Sequence, residues 1–203
     1  SRSTDFAVYF AILRAAYPDR IDQQIIYGVQ QMLWDRFEAS GYAAHMTDDP
    51  YPGTPKHTVQ LHAAFGDHQV ANVTAEIEAR TIGAKIHLPA LADGREVIAE
   101  PYWGLEAPSS YPFGGSLLEY WDSGTLPPPK ANITPTESAE FLAECGALSK
   151  DEQKKSRPCN DPHEDPRRQP LTIKQKEAFF RPDGKTIDVC DGKPCAATPR
   201  FEL

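Results

Sequence analysis

No apolar run in the sequence approaches the roughly 20 residues that a membrane-spanning helix needs, and the first residues lack the basic and apolar regions of a signal peptide. A targeting signal is therefore expected outside this sequence. Positive charge is also scarce: 21 Lys+Arg stand against 29 Asp+Glu, a formal charge of -8. That is the wrong sign for general attraction to nucleic acid or to an anionic membrane surface. There are no CxxC pairs and no tight set of four ligands, which argues against structural zinc. There is no internal repeat and no clear second domain.

What is present is 203 residues, 40% of them apolar, enough for one ordinary domain core. The four cysteines, Cys145, Cys159, Cys190 and Cys195, all fall in the last third. Their even number fits disulfides and export, and the expected location is secreted, periplasmic or cell-surface. Three pairings are possible, of which Cys145 with Cys159 and Cys190 with Cys195 is the simplest.

The periodicities divide the chain into three stretches. Residues 1–57 read as a helical flanking or cap region. A first helix capped by Ser3 or Thr4 runs to about Ala16. A second helix over 21–39 carries Ile21, Ile25, Ile26, Val29, Met32, Leu33 and Phe37 at helical spacing, which predicts one buried face, and Ser40-Gly41 is read as its stop. Loop then follows to His57. Residues 58–126 read as sheet strands with a crossover helix. A buried strand at 58–65 ends at Gly66-Asp67-His68, and a helix with Val70, Val73, Ile77 and Ile82 inward follows. Weaker strand signals lie at 85–88 and 116–121, separated by an aromatic, Pro-rich loop whose Tyr102, Trp103, Tyr111 and Phe113 are candidates for a substrate-pocket wall. Residues 127–203 read as a variable linker, a loop carrying His163, a helix from Leu171 to Phe180, and a turn-rich tail that the CDGKPC loop could staple.

Asp67 and His163 thus fall in loops before helices, where open α/β sheets gather their reactive groups. A carboxylate there can accept the Nδ1 proton of an imidazole and stabilise the imidazolium formed when Nε2 takes a proton from a serine. Each residue also has a plainer reading. Asp67 is a favoured helix N-cap, and a lone loop histidine is usually just exposed. Asp122, Asp161 and Asp165 compete as the acid, and His57, His62 and His68 with Asp67 could be read as a weak metal cluster.

The order acid then histidine, with "LHAAFGDHQVANVTAEIEARTIGA", "IIYGVQQMLWDRFEASGYAAHM" and "DPHEDPRRQPLTIKQKEAFF", resembles the C-terminal half of an α/β-hydrolase of the kind found in large bacterial hydrolase-like proteins. The resemblance spans about residues 20 to 195. It implies an α/β fold, the late portion of a hydrolase sheet with flanking helices, with Asp67 as triad acid and His163 as general base. The family also needs a G-x-S-x-G elbow upstream of both residues, and none occurs. The resemblance therefore implies a proteolytically processed heterodimer, in which an N-terminal fragment of the same precursor supplies the serine and the first strands. Such an assembly would cleave a small-molecule or polymeric ester, and the mechanism calls for no cofactor and no metal. Ser1 would be the scar of cleavage, a better reading than an N-terminal nucleophile. The rival is a non-catalytic hydrolase-like binding or surface-assembly module.

Overall fold

The computed structural model describes residues 2–203, so both readings of Ser1 lie outside the described residues. The architecture is mixed α/β: a small open parallel sheet with helices on both faces. Its central strand is β3 (Leu117–Asp122), the most deeply buried, with all but Asp122 sealed from solvent. Strand β1 (Gln60–Ala64) pairs along β3 from Leu117 to Trp121. Strand β2 (Lys85–Ile86) pairs with Leu117 and Leu118, and β4 (Cys195–Ala196) with Trp121 and Asp122. Because these residues of β3 already bond to β1 on one edge, β2 and β4 must share the opposite edge, end to end.

The tail was read as turn-rich, and β4 adds a strand that this reading lacked. Two residues are too few for any periodicity to announce a strand. What places them is the Cys190–Cys195 disulfide together with Asp188, whose carboxylate accepts from the backbone N–H groups of Cys190 and Gly192. The second disulfide, Cys145–Cys159, also forms. It packs with Phe141 against Leu126 and Leu148, so the expected variable linker is an ordered subdomain containing α5 (Ala139–Cys145) and α6 (Lys150–Gln153). Ser138 caps α5, and Ser149 with Glu152 forms a capping box on α6.

One face of the sheet carries the main core. Leu118 and Tyr120 of β3 and Ile86 of β2 meet Ala79 of α4 (Asn72–Thr81) and Ile82 at its C-cap, with Ala43 and Leu91 closing the cluster. The predicted inward set of α4 is corrected here. Ile77 and Val70 are exposed, while Glu76 is buried. Small Ala75 and Ala79 let the helix approach the sheet, and Tyr120 Oη donates to Glu76 Oε1 at 3.0 Å, giving the carboxyl a partner inside. Burial pushes the Glu76 pKa up. The other face holds Trp121 against Val189, Cys195 and Ala197, and is covered by α7 (Pro170–Phe179). Gln175 of α7 donates to Glu119 Oε1 of β3 at 2.7 Å.

The N-terminal region departs furthest from its reading. Helix α1 (Ala7–Ala16) and α2 (Arg20–Trp34) form, the latter capped by Asp19. The chain then turns into α3 (Ala39–Thr47) where loop was expected. Gly41 is not a stop: it sits in the first turn of α3 against the end of α2, where a Cβ would lie 1.9 Å from the Asp35 carbonyl oxygen. The predicted buried face of α2 is also overturned. Ile21, Ile25, Val29, Met32, Leu33 and Phe37 are all exposed, Phe37 at 87%. Helical spacing of apolar residues defines a face that can be buried, and among the described residues it is α1, through Tyr9, that lies beside it.

Candidate active site

Strand β1 ends at Ala64, and Gly66 then turns with φ +78°. A Cβ at Gly66 would lie 2.5 Å from Thr125 Cγ2 and 2.7 Å from the Leu126 carbonyl oxygen, so both the conformation and the space require glycine. Asn72 fixes the same corner, donating to Ala64 O and accepting from Gly66 N–H. The turn delivers Asp67, which is buried with its two oxygens in separate roles. Oδ1 accepts from the backbone N–H groups of Gln69 and Val70, at 2.7 and 2.9 Å. Oδ2 lies 2.8 Å from His163 Nδ1.

Asp67 is thus a turn-capping carboxylate and the partner of His163 at once. It is not the N-cap of α4, a position held by Ala71. The contact with His163 joins residues 96 apart in the chain. With Nδ1 donating to the carboxylate, the lone pair of Nε2 is free to accept a proton. Nε2 has no hydrogen-bond partner among the described residues, and the nearest acid is Glu164 Oε1 at 3.9 Å. Asp67 and His163 both line a cleft of about 430 Å³. Its walls are β1, the first turns of α4, and Pro166, Arg167 and Lys176 near and on α7. No serine or cysteine lines it.

The competing acids have other partners. Asp122 takes both Arg95 Nε and Nη2, at 2.6 and 2.8 Å, and Arg95 also donates to Thr125 O. Asp165 is buried, accepts from Arg200 N–H and a Ser123 hydroxyl, and has its pKa pushed up by burial. Asp161 ties the two site loops together. Its Oδ1 accepts from the N–H groups of His68 and His163, each at 3.2 Å, and its Oδ2 accepts from Gln69 Nε2 at 2.7 Å. Two residues before His163, Asp161 is placed to hold not the ring but the backbone N–H, which is within easy reach of a short carboxylate.

The four aromatic residues of the long loop are not brought to the cleft. Tyr102 donates to Glu96 and packs on Tyr120, and Tyr111 is paired with buried His87. Phe113 bridges to Thr186, and Trp103 stands 71% exposed beyond α4. Tyr102 packs at the edge of the main core, and none of the four lines the cleft of Asp67 and His163. Among the described residues, no group of three or more His, Cys, Asp or Glu side chains is placed to hold a metal. His62 lies between Gln175 Oε1 at 2.7 Å and Glu119 Oε2 at 3.3 Å. His68 is buried against Phe141, and burial lowers its pKa.

No protein-family model, curated protein or solved structure matches the chain. What fold and geometry define is a mixed α/β protein with an acid–histidine dyad beyond the carboxyl ends of parallel strands. Among the described residues no helix is long and apolar enough to cross a membrane, and the two disulfides are compatible with an extracellular setting.

Proposed function

We propose that the chain is the acid- and base-bearing part of a serine hydrolase acting on ester or related acyl bonds. The single observation that carries this reading is the Asp67–His163 contact, at 2.8 Å, with the far nitrogen of the ring left free on the wall of a cleft. In the mechanism, a serine of a companion chain attacks the acyl carbon. His163 Nε2 takes the serine proton, then returns it to the leaving group, and repeats the cycle with water to release the acid. Asp67 holds the tautomer and balances the imidazolium charge. Because Asp67 Oδ1 is already engaged by two backbone N–H groups, the carboxylate keeps its orientation while the ring charges.

The missing serine is the reason for a companion, since none lines the cleft. The expected outcome is loss of turnover by about three or more orders of magnitude in the assembled enzyme on His163→Ala or Asp67→Asn. A fluorophosphonate probe should label the companion's serine in the wild-type assembly and fail to do so in the His163→Ala assembly. Near-normal turnover or labelling in that variant would overturn the reading.

A second reading has an observation of its own. The apolar face of α2, open from Ile21 to Leu33, suits a module whose work is assembly, with no functional serine in its companion. An assembly that forms normally yet has no serine elbow and takes up no probe would favour it.

A further inference from the structure

Among the described residues, strand β1 has a partner on one edge only. In a parallel pair, alternate residues turn their N–H and C=O groups to opposite edges. Val59 O bonds to Leu117 N–H, and Phe65 N–H to Trp121 O, so the odd-numbered residues of this stretch face β3. Gln60 and His62 therefore turn their backbone groups the other way, and among the described residues nothing bonds to them. The cleft runs along this open edge. Val70, Ala71, Thr74 and Ala75 wall it on the α4 side, and Pro166, Arg167 and Lys176 on the α7 side. It is a slot between two covering layers, and the Asp67–His163 dyad stands at the end toward which β1 runs.

We propose that this slot is the seat of one β-strand of a companion polypeptide, lying parallel to β1, apolar on both faces, with a single carboxylate opposite Lys176. The proposal rests on the reading that a companion chain completes the site, and it specifies where and how that chain docks. The unpaired groups of Gln60 and His62 call for extended backbone, the chemistry of strand addition. Parallel polarity follows from the sheet, in which all pairings are parallel. An apolar run on both faces follows from the two covering layers. Five residues match β1, a span of roughly 16 Å at about 3.3 Å per residue. The carboxylate follows from Lys176, which has no pairing partner among the described residues, while neighbouring Arg167 is already bound to Glu164 at 3.0 Å. Partial burial and Arg167 both lower the Lys176 pKa, and an incoming anion would relieve the strain of that charge.

The test uses the full chain and three capped heptapeptides of valine and alanine, apolar on both faces: one with a central aspartate, one with lysine in its place, and one N-methylated along the β1-facing edge. Amide exchange at Gln60 and His62, read by NMR, should be fast in the free chain and slow by about tenfold or more with the aspartate peptide. The N-methylated peptide should give no protection, and the lysine peptide several-fold less. Gln60→Pro should weaken the protection of His62 while leaving Leu61 and Ala63, which bond to β3, as slow as before. Lys176→Ala should abolish the preference for aspartate over lysine. The proposal is overturned if Gln60 and His62 are already protected in the free monomer, or if the N-methylated peptide protects as well as the others. It is equally overturned if sedimentation shows a dimer whose second copy supplies the protection. None of these readings needs a serine or turnover. An assembly lacking His163-dependent activity would sink the hydrolase reading and leave strand addition standing, and the reverse holds as well.

Discussion

The α1–α2 hairpin and the β1–α4–β3 unit are both built from amphipathic elements, yet they treat their apolar residues in opposite ways. In the sheet unit, Ile86, Leu117 and Leu118 are sealed from solvent and packed from both layers. In the hairpin, the strongest helical stripe of the sequence is open, and the slot between Tyr9, Ile25, Val29 and Leu33 is almost wholly apolar. The lesson is physical. Periodicity fixes which side of an element resists water, whereas the area that covers it must come from somewhere else in the fold or in an assembly.

Substitutions sharpen the contrast. Leu118→Ala removes a fully buried side chain from the main core and should cost about 2–5 kcal/mol in urea unfolding of the isolated chain. Cys145→Ser with Cys159→Ser opens a loop of sequence separation 14 and should cost about 3 kcal/mol, read in the same way under non-reducing conditions.

His68 gives a smaller effect whose direction follows from burial. Its folded pKa lies below the ordinary 6.5, so below that pH the unfolded chain binds more protons. The contribution of neutral His68 is present above about pH 6.5 and is lost as pH falls toward the lowered folded value. Midpoints measured between pH 7.5 and 5.5 should therefore decline in the wild type and decline less in His68→Asn. The smallest effect belongs to the hairpin: Ile25→Ala should shift the stability of the isolated chain by no more than about 0.5 kcal/mol. A loss as large as that of Leu118→Ala would erase the comparison.

Much of the sheet unit was legible because its signals are local. The run at 58–65 broken by Gly66-Asp67 announces β1 and the turn directly. The positions of Asp67 and His163 before helices could also be read, as could the simplest cysteine pairing. Hidden features were those set by tertiary context. Glu76 faces inward only because Tyr120 comes to meet it, and β4 is a strand only because β3 has an edge to spare. Helix α3 was missed because Gly41, a breaker by composition, is there a spacer against Asp35. Asp161 was undervalued because its work is done through backbone N–H groups, which no side-chain pattern reveals.

That carboxylate has one more consequence. By grasping the loop of Asp67 and the loop of His163 together, Asp161 couples two distant parts of the chain so that neither can drift without the other. The Asp67–His163 pair is then arranged in advance, and on the reading proposed above a hydroxyl arriving from outside would meet a finished receptor whose readiness does not wait on its arrival.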